Sequence, residues 1–160
     1  MKDFNINHIN KALALARDCL SDNKRHPFGA VVVRNDAIVG IGKEGTFLNS
    51  DPTAHSEIEA IRSACTNLKT SSLKNCVLYT SSEPCSMCLS ATFWAGIKTI
   101  YYACSRDDVY EFGFSDKFEL VEKRAHLTTT NSEKIRLFQV NKDEGIQIFN
   151  DWKLRQRKIG

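Results

Sequence analysis

The sequence predicts an α/β fold in which a mixed β-sheet packs against helices on its faces. Two short runs rich in β-branched residues, 29–34 and 37–42, are joined at Asn35-Asp36, a pattern that indicates a β-hairpin. Further along, apolar strand-like runs at 76–80 and 99–103 alternate with helical patterns. A hairpin followed by alternating strands and helices is typical of a mixed sheet covered by helices.

Hydrophobic spacing predicts the elements of the first half. The first helix is expected over residues 9–20, where apolar residues recur at helical spacing, namely Ile9, Leu13, Ala16 and Leu20. After the hairpin and a polar loop, a second helix is expected to open at Thr53. Its buried stripe is predicted to comprise Ile58, Ile61, Cys65 and Leu68. The run Cys76–Thr80 is predicted to be a buried strand.

The second half begins with a predicted helix that has Pro84 in its first turn, where a missing N–H costs nothing. Gly96 is a plausible left-handed cap for its end. The run Thr99–Ala103 is predicted to be a strand, followed by a shorter helix. Residues 135–140 are a candidate strand. The closing helix is expected over residues 144–158, with its inward side chains at Ile148, Trp152 and Leu154.

Composition indicates one ordinary globular domain spanning residues 1–160. Hydrophobic residues make up 42% and charged residues 26%, which argues against disorder. The net charge of +3 is too small to favour a nucleic-acid partner. There is no secretory signal and no run long enough to span a bilayer, so no membrane association is expected. Six cysteines without a signal indicate reduced thiols and predict a cytoplasmic protein.

Two short motifs carry the residue types of a metal site. These are His55-Ser56-Glu57 and Pro84-Cys85-Ser86-Met87-Cys88. Cys85 and Cys88 lie three positions apart, so on a helix they share one face and can hold a metal ion between them. His55 and Glu57 lie two positions apart, which in the middle of a helix would point them in different directions. They can serve one site only if they occupy the first turn of a helix.

A site formed by two helix N-termini suits zinc chemistry. The positive end of a helix dipole lowers the pKa of a cysteine thiol, so Cys85 and Cys88 would bind as thiolates. Three protein ligands, His55, Cys85 and Cys88, leave the fourth tetrahedral position of Zn²⁺ open for water, as in catalytic zinc sites. Glu57 is then the candidate base that takes the proton of this water and passes it to the substrate.

The paired motifs match H-x-E followed by P-C-x-x-C, the signature of zinc deaminases. The chain resembles the cytidine deaminase-like superfamily. Within it, residues 51–57 and 79–88 resemble the guanine deaminase and tRNA adenosine deaminase branch. This resemblance implies an α/β three-layer sandwich with a central five-stranded mixed sheet, and a zinc-dependent hydrolytic deaminase. It also implies a homodimer in which the C-terminal helix, about residues 142–158, can be exchanged between subunits.

The resemblance also suggests which residues bind the substrate. Trp94 lies where the related guanine deaminases carry an aromatic residue that lines the base pocket, although it could also belong to the core. Phe28 is either a ring that stacks on a flat heterocycle or a core residue. Asp116, in the segment Gly113–Phe118, resembles an acid that contacts substrate and relays protons, although alone it would be an ordinary loop acid. Ala54, directly before His55, and Glu44 are further expected contacts.

The resemblance favours a small purine-like amino-heterocycle as substrate. Guanine, which would be converted to xanthine and ammonia, is the leading candidate. Glu44 stands where the branch usually has an Asn, and an ionised carboxylate only accepts hydrogen bonds. The pocket should then prefer a substrate that presents N–H groups, unless Glu44 turns outward or Asn49 takes its place. The chain also ends without the aromatic residue of bacterial guanine deaminases.

Several alternatives remain open from the sequence. The substrate could be another base or nucleoside, such as an aminopyrimidine, a triazine, a pterin, guanosine or cytosine, or the adenosine of a tRNA. The CxxC motif could be a redox pair, or part of a structural zinc site with a fourth ligand from elsewhere in the chain. A catalytically inactive binding protein on the same fold is a further possibility, although Glu57 would then have no evident reason to be present.

Overall fold

The structure is a computed structural model that describes residues 4–114 and 135–159. Its helices are α1 (Ile6–Asp18, followed by a 3₁₀ turn Cys19–Ser21), α2 (Thr46–Asn49), α3 (Ser56–Leu68), α4 (Ser86–Ala95), α5 (Arg106–Tyr110) and α6 (Lys142–Ile159). Its strands are β1 (Gly29–Arg34), β2 (Ala37–Lys43), β3 (Cys76–Ser82), β4 (Thr99–Cys104) and β5 (Arg136–Gln139).

The five strands form one mixed sheet in the order β2-β1-β3-β4-β5. Strand β1 pairs antiparallel with β2 and β3, whereas the β3–β4 and β4–β5 pairs are parallel. The hairpin between β1 and β2 turns at Asn35 and Asp36, whose φ angles are 51° and 61°. A two-residue hairpin turn needs two consecutive left-handed residues, because only then does the turn match the right-handed twist of the two strands. The predicted mixed sheet is confirmed.

Helices cover both faces of the sheet, because alternate residues of each strand point to opposite sides. On one face, Val31, Tyr79 and Tyr101 pack with Ile9 and Leu13 of α1 and with Ile148 of α6. On the other face, the core is built from α3, the end of α4 and the remaining strand residues, including Ala60, Ala64, Ala95, Val32, Leu78 and Ile100. This arrangement confirms the three-layer sandwich.

Two helix starts differ from the sequence prediction in a way that matters for function. Helix α3 begins at Ser56 and not at Thr53, because the Asp51 carboxylate accepts hydrogen bonds from the Thr53 N–H and hydroxyl at 2.8 and 2.7 Å and holds a turn there. Helix α4 begins at Ser86, one residue after Cys85, and Pro84 therefore lies before the helix. Both shifts place a predicted zinc ligand at the N-cap.

Smaller differences concern side-chain packing. In α3, Ala60 and Ala64 are fully buried, whereas Ile61, Cys65 and Leu68 are only partly buried against the same core. In α6, Ile148 is buried as predicted. Leu154 was predicted to point inward but is 55% exposed, and Phe149 is buried in its place. The short helix α2 had no counterpart in the prediction, because four residues are too few to show a helical period.

Within the described residues, none of the helices is both long enough and apolar enough to cross a bilayer. Exchange of α6 between two subunits stays a prediction.

Candidate active site

The three predicted zinc ligands meet between the first turns of α3 and α4. His55 is the N-cap of α3 and Cys85 is the N-cap of α4, and both have extended backbone. Cys88 lies in the first turn of α4, and its backbone N–H donates to the Cys85 sulfur at 3.4 Å. An N-cap residue lies outside the helical spiral, so its side chain can reach across the helix end. This conformation is what lets His55 and Glu57 serve one site.

The distances between the ligand atoms fit a tetrahedral zinc ion. The Nδ1 atom of His55 lies 3.7 Å from the Cys85 sulfur and 3.6 Å from the Cys88 sulfur, and all three atoms lie within 4.8 Å of one another. Zn–N and Zn–S bonds at tetrahedral angles put nitrogen and sulfur about 3.5 Å apart. These residues therefore fit Zn²⁺ with a fourth position left for water or substrate.

Each of the two cysteines shifts the pKa of the other. The hydrogen bond from Cys88, together with that from His55, lowers the pKa of the Cys85 thiol to about 4. The same bond, followed by burial, raises the pKa of Cys88. The two shifts run in opposite directions because one sulfur donates its proton to the other. A divalent cation bound here would hold both sulfurs as thiolates, because a coordinating thiol is deprotonated.

Glu57 lies beside the ligands in the first turn of α3 and is 5% exposed. Burial, followed by the negative charge of Cys85, raises the pKa of its carboxyl group. The Ser56 hydroxyl donates to Glu57 Oε2 at 2.9 Å and orients the carboxylate. A carboxylate whose pKa is raised toward neutral is a better proton acceptor and donor than an exposed one. The geometry suits Glu57 to proton transfer.

A cavity of about 700 Å³ opens onto these residues. His55, Glu57 and Cys85 form its buried end. Its lining also includes a cluster of five rings that we call the aromatic wall: His26, Phe28, Phe47, Phe114 and Trp152. Phe114 contacts His26, Phe28 and Trp152 at ring-centroid distances of 5.2, 5.1 and 4.9 Å. Aromatic rings of this kind can pack against a flat heterocycle.

Of the five predicted substrate contacts, the structure brings Phe28 and Glu44 to this cavity. Ala54 is fully buried and does not line it. Its N–H donates to the Asp51 carbonyl and its carbonyl accepts from the Gly45 N–H, so both backbone groups are already used. Asp116 lies outside the described residues. Asn49, the suggested substitute for Glu44, is exposed and does not line the cavity either.

Trp94 differs most from its predicted place. Its ring was predicted to lie either on the wall of the base pocket or in the core, but the side chain is 86% exposed and does not line the cavity of its own chain. The reason is the helix face. Thr92 and Ala95 point into the protein, so Phe93 and Trp94 point outward. A role for Trp94 in substrate binding stays a prediction. Within one chain, Trp94 does not reach the cavity.

Four of the five rings of the aromatic wall were missed from the sequence: His26, Phe47, Phe114 and Trp152. His26 and Phe47 lie within three residues of the predicted contacts Phe28 and Glu44, and this proximity was the available signal. Phe114 lies in the Gly113–Phe118 segment that had been singled out for Asp116. Trp152 gave no signal, because it reaches the cavity only through the packing of α6.

Comparison with known proteins agrees with this site. The family model for the cytidine and deoxycytidylate deaminase zinc-binding region matches residues 3–104. A guanine deaminase from Bacillus subtilis (strain 168) is 39% identical over 147 residues, which is 91% of each chain. A crystal structure of guanine deaminase from Bacillus subtilis gives a TM-score of 0.71 at 36% identity and covers 94% of this chain and 95% of that chain.

Two other similarities are more distant. A tRNA-specific adenosine deaminase from Buchnera aphidicola subsp. Baizongia pistaciae is 32% identical over 134 residues, 83% of this chain and 78% of the relative. A crystal structure of a protein in complex with 2,6-diaminopurine gives a TM-score of 0.75 at 25% identity and covers 92% of this chain and 80% of that one. With the zinc-ligand geometry, the family match shows that this chain belongs to the zinc-dependent deaminases of the cytidine and deoxycytidylate deaminase family.

Proposed function

We propose that this protein hydrolyses guanine to xanthine and ammonia, with His55, Cys85 and Cys88 as zinc ligands and Glu57 as the proton carrier. The observation that carries the proposal is the buried Glu57 beside three zinc-ligand atoms, at the end of a cavity lined by aromatic rings. Similarity to a guanine deaminase over 91% of both chains supports guanine among the flat amino-heterocycles.

The residues of the chain divide the reaction between them. Zinc held by the three ligands would supply the acidity that makes a water molecule nucleophilic near neutral pH. Glu57 takes the proton of this water as its oxygen attacks the carbon that carries the amino group. Glu57 delivers that proton to the adjacent ring nitrogen, then takes the second proton from the same oxygen and passes it to the departing amine, so that the oxygen becomes a carbonyl. Water and guanine thereby become xanthine and ammonia. Phe28 and the rest of the aromatic wall hold the ring plane in place.

The test is ammonia release by zinc-loaded protein from a panel of free bases and nucleosides. The panel contains guanine, adenine, cytosine, guanosine, a triazine and a pterin. We expect guanine to give the highest kcat/KM and xanthine to be the second product. Absence of turnover across the panel from zinc-loaded protein would refute the proposal, and higher kcat/KM with another compound would replace guanine by that compound.

A tRNA substrate is the second candidate, because a tRNA-specific adenosine deaminase is 32% identical over 83% of this chain. The modest net charge of +3 argues against it, since tight binding to a phosphate backbone needs a stronger basic field. Inosine formation in an anticodon stem-loop, with affinity that falls as salt rises, would favour it over the free base.

We further propose that the protein is a cytoplasmic homodimer. The dimer is supported by two neighbouring exposed rings on α4, Phe93 at 54% and Trp94 at 86% exposure. Large apolar side chains that are exposed together are typical of protein interfaces. A reducing compartment is supported by the six cysteines, all of which have free thiols.

A further inference from the structure

An imidazole lies within the aromatic wall of the cavity. The side chain of His26 is 36% exposed, and its ring contacts those of Phe47, Phe114 and Trp152 at centroid distances of 5.5, 5.2 and 6.2 Å. Phe47 itself is 65% exposed, so this part of the cavity is its outer rim. His26 thus combines a ring that packs against its neighbours with two nitrogens that can form hydrogen bonds.

Glu44 holds His26 in this place. The Glu44 side chain is 4% exposed, and its Oε2 atom accepts from the His26 backbone N–H at 3.0 Å. Its Oε1 atom accepts from the Thr46 N–H at 2.8 Å and from the Thr46 hydroxyl. Three donors from the protein therefore occupy the carboxylate. Glu44 orders the loop before β1 and is not an uncommitted acceptor aimed at the substrate.

The same carboxylate favours one tautomer of the imidazole. Nδ1 of His26 lies 3.9 Å from Glu44 Oε1, so a proton on Nδ1 faces the negative charge. Burial, which outweighs the attraction of Glu44, lowers the pKa of His26 and keeps the ring neutral at pH 7. A neutral imidazole with its proton on Nδ1 has Nε2 as an acceptor. His26 can then accept one hydrogen bond from a ligand.

The substrate end that meets His26 follows from the site. The carbon that loses its amine has to lie beside His55 and Glu57 at the buried end of the cavity. The edge remote from that carbon therefore faces the rim. In guanine this remote edge belongs to the five-membered ring, which carries an N–H in the free base. In a nucleoside the sugar replaces that hydrogen.

We infer that His26, positioned by Glu44, determines specificity by accepting a hydrogen bond from the five-membered-ring N–H of a free purine base. This inference rests on the proposed function and extends it to a choice of free base over nucleoside. It also gives a role to the carboxylate of Glu44, which orders the residue that contacts the substrate.

The experiment measures binding, so that it does not depend on turnover. Zinc-loaded protein carrying Glu57→Gln is titrated with guanine and with 9-methylguanine, which keeps the purine ring but lacks the N9–H. We expect guanine to bind about tenfold more tightly, the net size of one hydrogen bond. Adding His26→Phe keeps a ring in the wall without an acceptor, and should bring the two dissociation constants within about twofold.

Two control variants separate this role from general damage to the wall. His26→Gln keeps an acceptor and should retain part of the preference for guanine. Phe47→Leu removes a neighbouring ring and should weaken both ligands equally, leaving their ratio unchanged. A preference for guanine that persists in His26→Phe would mean that the methyl group is excluded by its size, and would overturn the inference.

A second ligand pair distinguishes failure of the inference from failure of the proposed function. Cytosine and 1-methylcytosine differ by the same replacement of N–H by N–CH₃. If cytosine binds and guanine does not, guanine is the wrong substrate, and loss of the cytosine preference in His26→Phe would still support His26 as the acceptor. If wild-type His26 gives equal binding within each pair, the inference is wrong whichever base is bound.

Discussion

At the scale of single residues, the site depends on two N-cap conformations. His55 and Cys85 both have extended backbone directly before a helix, with φ and ψ of −70° and 155° for His55 and −67° and 169° for Cys85. A helical conformation at either position would turn its side chain away from the other ligands. With these conformations, His55 reaches toward both sulfurs while Glu57, in the following turn, lines the cavity.

Substitution of Glu57 tests its proposed role directly. Glu57→Gln keeps the size of the side chain, and Glu57 is not one of the three zinc ligands. We therefore expect one zinc ion per chain to remain. Turnover should fall by about 10²–10⁴-fold, the usual contribution of general acid–base catalysis. Metal analysis and ammonia release measure the two quantities. Glu59→Gln, which removes an ion-pair partner of Arg62 on the same helix, is the control and should leave turnover unchanged. Turnover of Glu57→Gln within a few-fold of wild type would exclude the role.

At the scale of elements, the first turn of α3 is held against strand β2 by close backbone packing. A Cβ atom added at Gly42 would overlap the Ser56 carbonyl oxygen and the Ala60 nitrogen, and one added at Gly40 would overlap the Ala60 carbonyl oxygen. Only glycine allows the strand to approach the helix this closely. Because Ser56 lies between His55 and Glu57, this contact also fixes the metal site.

Gly42→Ala should therefore affect both stability and zinc binding. We expect the free energy of unfolding to fall by about 1–3 kcal/mol, as is usual for overpacking, and zinc affinity to fall with it because α3 has to shift. Urea unfolding and competition with a chelator measure the two effects. Ile41→Ala is the matched control, because Ile41 is 45% exposed on the opposite face of β2. Equal zinc affinity in Gly42→Ala and Ile41→Ala would show that the contact does not position the site.

Helix α5 is joined to the C-terminal part of the chain through Asp108. Its carboxylate accepts from the Ser105 N–H at 2.8 Å and closes a capping box, and it also pairs with Lys142 Nζ at 2.7 Å. Burial raises the pKa of Asp108, but the hydrogen bonds from Lys142 and Ser105 outweigh it, and the pKa lies below its usual value. A lowered carboxyl pKa means that the charged form stabilises the fold.

This stabilisation has a defined dependence on pH. It is fully present above the unfolded-state pKa of about 4 and is lost as pH falls through the lower folded-state pKa. Asp108→Asn should lower the free energy of unfolding by about 1–2 kcal/mol at pH 7, and its difference from wild type should shrink near pH 3. Urea titrations at pH 7, 5 and 3 measure this difference. The control Asp107→Asn, at an exposed neighbour, should show no such trend. A difference that is the same at all three pH values would contradict the assignment.

At the scale of the whole molecule, the exposed rings of α4 bear on the oligomeric state. Phe93 and Trp94 form the largest exposed aromatic pair among residues 4–114 and 135–158. If they pack in a homodimer, Trp94→Lys should shift the protein toward monomer in sedimentation or light-scattering measurements. Phe47→Lys, which places the same charge at another exposed ring, is the control and should leave the mass unchanged. A dimer that survives Trp94→Lys at micromolar concentration would place the interface elsewhere.

The sequence alone determined the chemistry of the site and the class of the fold. The spacing Cys-x-x-Cys records local geometry, because residues three apart at a helix start lie on one face. The spacing His-x-Glu does so as well, because an N-cap residue lies outside the helical spiral and its side chain can reach across the helix end. Strand and helix periodicity likewise reflects one element facing one core. The bounds of β1 to β4 were therefore predicted to within about two residues, whereas helix starts differed by about two or three residues.

The tertiary structure decided which side chains share the cavity and which face solvent. His26 meets Trp152 through the packing of α6, and Glu44 meets His26 because β1 and β2 pair in register up to Gly29 and Lys43. Trp94 and Leu154 face outward because other residues of their helices fill the core. Contacts between residues far apart in the chain depend on how sheet and helices pack together, and local patterns carry no record of that packing.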